Sequence, residues 1–274
     1  MRIISGGFRK IFFIVTGIAF FLPLFWMLTL SLKSKSEVYD NPFGLPREWL
    51  FSNYAEVLSK YNFFTYFKNS LIYTAATIVI TLLLGSMLAY CLSRMNWKAN
   101  KYIIIFISMG LIVPVEVVMI PLFMLIRQLR INDTYFGLIL PYSAFNLSSC
   151  VLILYAYLRS LPKELEEAAC IDGCNIYRTF FSIILPNIKP ALYLQVVLIF
   201  MRVWNEFVLA FIVAGPERLR PLQVGLLSFF VSIGVSHWGY IGAAMIISSL
   251  PTLIVYMIAN EQIENSLTAS TALK

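Results

Sequence analysis

Charge is scarce in this sequence: Asp, Glu, Lys and Arg make up 13% of its 274 residues, about half of the ~25% carried by an ordinary soluble domain. Beside 59% apolar residues, so little charge excludes a water-soluble domain with a polar shell. It equally excludes a disordered chain, which needs few apolar and many polar residues. Histidine occurs once, at His237 beside Trp238, and reads as a loop or interface residue. Cysteine occurs four times, at Cys91, Cys150, Cys170 and Cys174. The first two lie in apolar runs, where a thiol behaves as a small hydrophobe. Cys170 and Cys174 share a helix face, but without a second pair or a histidine they make a poor zinc site. The sequence also lacks GxSxG, HExxH and GxxxxGK[ST], so it offers no intramembrane nucleophile or metalloprotease set and no phosphate-binding loop. No bound metal or cofactor, and no enzymatic activity, is expected. The net charge of +7 comes without a basic stripe, which argues for membrane topology and against nucleic acid.

What is present is a series of apolar runs. A helix needs about 20 apolar residues to cross a bilayer core of about 30 Å, and six segments meet that length: 11–32, 70–93, 102–126, 136–158, 191–214 and 240–259. The first opens like a signal peptide, but its apolar run is long and no small-residue cleavage site follows, so it is expected to remain as an anchor. Arg2, Arg9 and Lys10 precede it, and Arg94, Lys98 and Lys101 crowd the turn after the second. Positive charge at these places predicts a cytoplasmic N-terminus, residues 1–10, and with six spans a cytoplasmic tail, residues 260–274. Between spans one and two, residues 33–69 carry Pro42, Pro46 and the aromatic run Tyr61-Asn62-Phe63-Phe64. That stretch predicts a partly helical segment on the outer surface.

Residues 159–190 depart from this pattern by gathering Glu164, Glu166, Glu167 and Asp172 against four basic residues. Pro162 and the three glutamates mark a helix start, and Gly173 offers a left-handed stop. Asn175 can cap a second helix, with Ile176, Phe180 and Ile184 on one face, that Pro186 is expected to end. The result is a helix-glycine-helix elbow between spans four and five.

Glu167-Ala168-Ala169, three residues, Gly173, nine residues, Ile183, one residue and Leu185-Pro186 resemble the EAA motif of ABC importer permeases. The longer run from Glu166 to Gly173 is similar to the carbohydrate-uptake branch, in particular its maltose-type second permease. Further matching pieces cover most of the chain: Tyr66 to Leu71, Ala89-Tyr90 with Ser93-Arg94, Trp204 to Phe207, Pro221 to Gly225, and Trp238-Gly239 followed by Ala243-Ala244 and Pro251. Cys170 and Cys174 depart from the small residues usual there, and the tail departs from the branch's more basic ending. The resemblance implies an all-α fold of the type I importer permeases, with the transmembrane domain spanning 11–259. It implies a cell-membrane protein of a prokaryote that moves a sugar, an oligosaccharide in particular. The implied partners are a second permease, two ATP-binding subunits holding ATP and Mg, and an extracytoplasmic solute-binding protein. In this picture the elbow is a coupling helix: Ala168 and Ala169 allow close seating on the ATPase, Glu167 supplies a charge contact at the rim, Gly173 turns the chain, and Asp172, Ile183, Leu185 and Pro186 belong to the same coupling set.

Polar groups inside the spans are the candidates for the solute pathway, because an ionisable side chain there usually faces protein or a wet cavity. Glu116 sits between Pro114 and Pro121, where helical bonding is broken. Arg202 and Glu206 are four residues apart and can neutralise each other or face solute. Trp204 and Asn205 offer stacking and hydrogen bonds of the kind a sugar uses. Glu116, Glu206 and the broken spans also suit an ion-coupled secondary transporter, although that reading leaves the elbow unexplained.

Overall fold

The computed structural model describes the backbone of residues 2–60, 62–95, 97–231 and 237–272, and the side chains of 8–59, 62–95, 97–229 and 237–259. Tyr61, the side chain of Arg2 and the side chains of the tail beyond 259 therefore lie outside the described residues. The described secondary structure is helical throughout: α1 (Arg2–Ser31), α2 (Lys35–Asp40), α3 (Ser52–Lys60), α4 (Phe63–Arg94), α5 (Asn100–Ile112), α6 (Val115–Gln128), α7 (Phe136–Ser160), α8 (Glu164–Ile171), α9 (Ile176–Thr179), α10 (Leu185–Asn187), α11 (Lys189–Trp204), α12 (Val208–Val213), α13 (Leu222–Val231) and α14 (Trp238–Ala272). A π turn, Phe180–Ile184, joins α9 to α10.

Among the described residues, four helices are individually long and apolar enough to cross a membrane: Phe8–Ser31, Phe63–Arg94, Phe136–Ser160 and Trp238–Ala259. A fifth is possible if Ile176–Asn187 and Lys189–Trp204, bent by 74°, form one span. The expected third span is not one helix. Val113 turns extended ahead of Pro114, because proline disfavours the α conformation in the residue before it and has no N–H to continue the ladder. The expected fifth span is likewise divided, α11 ending at Trp204 and α12 starting at Val208. Nor does Pro186 end its helix; α10 carries it in its first turn, where a missing N–H is harmless. Interior prolines persist in α1, α6, α7 and α14.

The chain divides into two compact units, Met1–Thr65 with Gly225–Leu250, and Tyr66–Val224 with Pro251–Lys274. In the first, the exposed Phe12, Phe13, Phe20 and Phe21 leave α1 apolar on its outside, a surface suited to lipid. Its end is tied down by polar bonds. Lys33, which follows the first expected span (11–32), is 1% exposed and donates to the Asn41 carbonyl at 2.6 Å. Asn53 donates to the carbonyls of Ser31 and Lys33 at 2.8 and 3.1 Å, closing the last turn of α1, whose carbonyls have no helical partner. The start of α14 presses on the same place: a Cβ on Gly239 would stand 2.5 Å from the Lys33 carbonyl oxygen. Asn53→Ala is expected to cost about 1–3 kcal/mol, since it leaves two buried carbonyls without donors. A lowered melting temperature of the detergent-solubilised variant checks this, and an unchanged one rejects it.

In the second unit α4 and α7 run parallel in constant register. The Tyr73 and Tyr142 rings meet, and the Cys150 thiol reaches the Thr81 carbonyl at 3.7 Å, each pair 69 positions apart. Gly85 gives Cys150 room to do so, as small residues do where helix backbones approach closely. One buried core gathers Tyr73, Met119, Leu138, Tyr142, Val203 and Leu209. A second gathers Ala89, Leu92, Cys150, Leu154, Leu158, Phe180, Ile184 and Ile188.

Candidate functional site

The first helix and the glycine turn of the elbow are present, with Gly173 at φ 75° after α8, while its second half is the short α9, the π turn and α10. Two backbone bonds close the turn, from Gly173 N–H to the Cys170 carbonyl (3.1 Å) and from Cys174 N–H to the Ala169 carbonyl (2.9 Å). The Asn175 side chain then accepts from the Arg178 N–H at 2.9 Å and starts α9. Beyond it Phe180, Ile184 and Ile188 are buried in the second core against α4 and α7. One half of the elbow is therefore bolted into the helix bundle. The other half is not: Glu167, Ala168, Asp172 and Gly173 are exposed, and Ile171 is 87% exposed. Ala169 differs from Ala168 in turning inward to 2% exposure, so it seats α8 on its own chain. Ile183 and Leu185 are half-buried and Pro186 is exposed.

One contact that the motif does not reveal fixes α8, and a second fixes the chain just before it. The Arg94 Nε lies 2.9 Å from Glu166 Oε1, and Arg94 Nη2 donates to the Leu161 carbonyl at 2.9 Å. Burial pushes the Glu166 carboxyl above its usual range, and the Arg94 guanidinium pulls it back.

The polar residues expected in the spans have separate fates. Arg202 and Glu206 do not pair. The Glu206 carboxylate instead accepts from the N–H groups of Leu209 (2.7 Å) and Ala210 (3.0 Å) and from the Tyr142 hydroxyl (2.6 Å). These are the donors left open by the start of α12, so Glu206 holds the break in the helix together. Arg202 is exposed and donates to Ser149 Oγ at 3.3 Å. Trp204 is 2% exposed, stacked on Phe200 and edge-on to Phe67, which leaves no ring face for a sugar. Asn205 is exposed but its amide donates to the Met201 carbonyl. Glu116 stands exposed in the first turn of α6. Its neighbour Val115, with Tyr142, Asn146, Arg202, Glu206 and Leu209, borders a cavity of about 170 Å³.

At the other end of α4 the Tyr66–Leu71 piece and the segment before Leu222 come together. Tyr66 donates to Glu217, Asn69 to the carbonyls of Arg218 and Arg220, and Tyr73 to that of Leu219, while Ser70 accepts from the Leu222 N–H. One face of α4 thus satisfies the backbone of a loop some 150 residues away in sequence.

Comparison with known proteins gives this geometry a setting. The family described as "Binding-protein-dependent transport system inner membrane component" matches residues 81–269. The trehalose/maltose transport system permease protein MalG of Thermococcus litoralis is 34% identical, covering 93% of this chain and 92% of its own. The diacetylchitobiose uptake system permease protein NgcG of Streptomyces coelicolor is 32% identical over 94% of this chain and 86% of its own. Among solved structures, a chain of a bacterial ABC transporter that imports the acidic polysaccharide alginate is 26% identical, with a TM-score of 0.85 over 94% of this chain and 96% of that one. The matched segment takes in the elbow, the cavity and the broken helices α11 and α12 alike. On this match the chain belongs to the family of binding-protein-dependent transport system inner membrane components and is similar throughout its length to ABC transporter permeases.

Proposed function

We propose that this chain is the six-span permease subunit of an ATP-driven importer that receives a sugar, an oligosaccharide, from an extracytoplasmic binding protein. The six spans are α1, α4, α5 with α6, α7, α11 with α12, and the first part of α14. A break inside a span is tolerable where protein satisfies the freed backbone groups, as Glu206 does for α12. Both termini are cytoplasmic in this reading, in the cell membrane of a prokaryote.

The observation that carries the reading is the asymmetry of the elbow. Its second half is anchored in the core through Ile184 and Ile188, while its first half presents Glu167, Ala168, Ile171 and Asp172 outward. An exposed large apolar side chain beside charge, on a rigid mount, fits a docking face. ATP-driven closure of two ATPase subunits would move that face as a body, and the anchored half would carry the movement into the helices that line the cavity. A second permease completes the pathway. The sugar assignment draws on the uptake systems named for the relatives.

Purification of the tagged chain from native membranes in mild detergent tests this directly. We expect mass spectrometry to find an ATPase with Walker motifs and a second permease. Recovery of the chain alone or as a homo-oligomer sinks the proposal and favours ion-coupled transport. Glu167→Lys is expected to reduce the ATPase recovered with the chain while the chain itself still inserts.

A further inference from the structure

Arg94 is the last residue of α4, where a basic side chain would ordinarily extend into water. Here its side chain is 6% exposed, and that of Glu166 is 20% exposed. The guanidinium reaches two elements at once. Its Nε meets the carboxylate of Glu166 in the first turn of α8, and its Nη2 meets the carbonyl of Leu161, the residue that ends α7. Only arginine carries donors on two edges of one rigid plane. Otherwise α8 packs mainly on α9 and the π turn, its own neighbours in sequence.

We infer that Arg94 is a positioning residue that transmits movement of the elbow helix to α4, through its ion pair with Glu166 and its hydrogen bond to the Leu161 carbonyl. The inference rests on the reading of the elbow as the ATPase-docking element. Its reach follows from the helix it terminates. From Arg94, α4 runs without interruption to Tyr73, about 30 Å at 1.5 Å per residue. The Tyr73 ring lies against Tyr142, and the Tyr142 hydroxyl holds Glu206 at the rim of the cavity. Displacement of α8 thus has a rigid route to the place where the α11–α12 break is held. The Arg94 end of α4 is restrained as well: the carbonyls of Leu92, in its last turn, and of Met95, just past it, accept from the Asn100 side chain at 3.2 and 2.7 Å. Such restraint keeps the end of the lever from fraying.

The test uses the intact complex with its co-purified permease, ATPases and binding protein in lipid nanodiscs. Two quantities are measured for each variant: ATPase bound per chain, and the factor by which the binding protein stimulates ATP hydrolysis. Stimulation requires a signal to cross the helices, whereas a merely structural defect lowers the ATPase bound. Arg94→Gln and Glu166→Gln are each expected to keep the wild-type amount of ATPase and to lower stimulation at least about fivefold, the lower end of typical coupling between sites. The double variant is expected to be no worse than Arg94→Gln alone, since both remove one shared contact. Arg94→Lys keeps the charge but not the two-edged grip, and is expected to fall between Arg94→Gln and wild type. Unchanged stimulation in Arg94→Gln, additive losses in the double variant, or loss of bound ATPase with normal stimulation per ATPase each overturn the inference. Failure of the wild-type chain to bring down any ATPase is a distinct outcome, and removes the docking reading together with this one.

Discussion

Replacing Gly173 by valine is expected to leave the chain inserted and its cores intact, yet to lower capture of the ATPase and ATP-driven uptake at least about fivefold. Gly173 holds φ 75°, and a Cβ placed there would meet nothing within 4 Å. The obstacle is therefore the backbone and not the surroundings. An L residue in this conformation is disfavoured by about 1–2 kcal/mol, and a β-branched one by more. At 1.4 kcal/mol per factor of ten, that is roughly a five- to thirtyfold loss of the correct turn. The loss falls on the part of the elbow that turns α8 outward, well away from Ile184 and Ile188 in the core. Asparagine tolerates the left-handed region, and the open space admits its side chain, so Gly173→Asn is expected to retain most of the activity. ATPase recovered with the tagged chain and solute uptake by membrane vesicles measure both variants. Equal uptake by the valine variant and the wild type would remove the turn from the coupling mechanism.

Glu206→Ala is expected to produce a large loss of stability in the second unit. The carboxylate accepts three hydrogen bonds, from Leu209, Ala210 and Tyr142. Charge-assisted bonds of this kind are about twice as strong as neutral ones. Alanine leaves two N–H groups and a hydroxyl without their acceptor, at a cost of about 2–4 kcal/mol. Glu206→Gln keeps one acceptor oxygen and is expected to lose less than Glu206→Ala, while Tyr142→Phe removes one bond and is expected to cost about 1.5 kcal/mol. Melting temperatures in detergent should fall in the order wild type, Tyr142→Phe, Glu206→Gln, Glu206→Ala. This separates two roles for the residue. A carboxylate used only to hold solute would reduce uptake with no change in melting, whereas one that caps α12 must lower both.

These two residues differ in how visible they are in the sequence. Gly173 announces itself, because a glycine after an acidic helix start and before an asparagine cap has few other uses. Glu206 does not. Four residues after Arg202, it invites an ion pair along one helix, and no proline or glycine between 202 and 210 marks the break that makes it a cap instead. The Pro114 break is different in kind, since proline interrupts a helix by its own covalent structure. Trp204 shows the opposite error: its place beside Asn205 suggests a sugar platform, but Phe67 and Phe200 take its ring.

The sequence by itself determined what depends on neighbours along the chain. Four of the apolar runs of about 20 residues form helices long enough to cross a membrane; Glu164 to Gly173 makes a helix that stops; Asn175 starts another. Only the tertiary structure decided which polar groups meet across the bundle: Arg94 with Glu166, Tyr142 with Glu206, Asn69 with the carbonyls of Arg218 and Arg220. The reason is the solvent. In apolar surroundings each backbone or charged group must find a protein partner or stay at high energy, and that partner is chosen by helix packing, which no local spacing records.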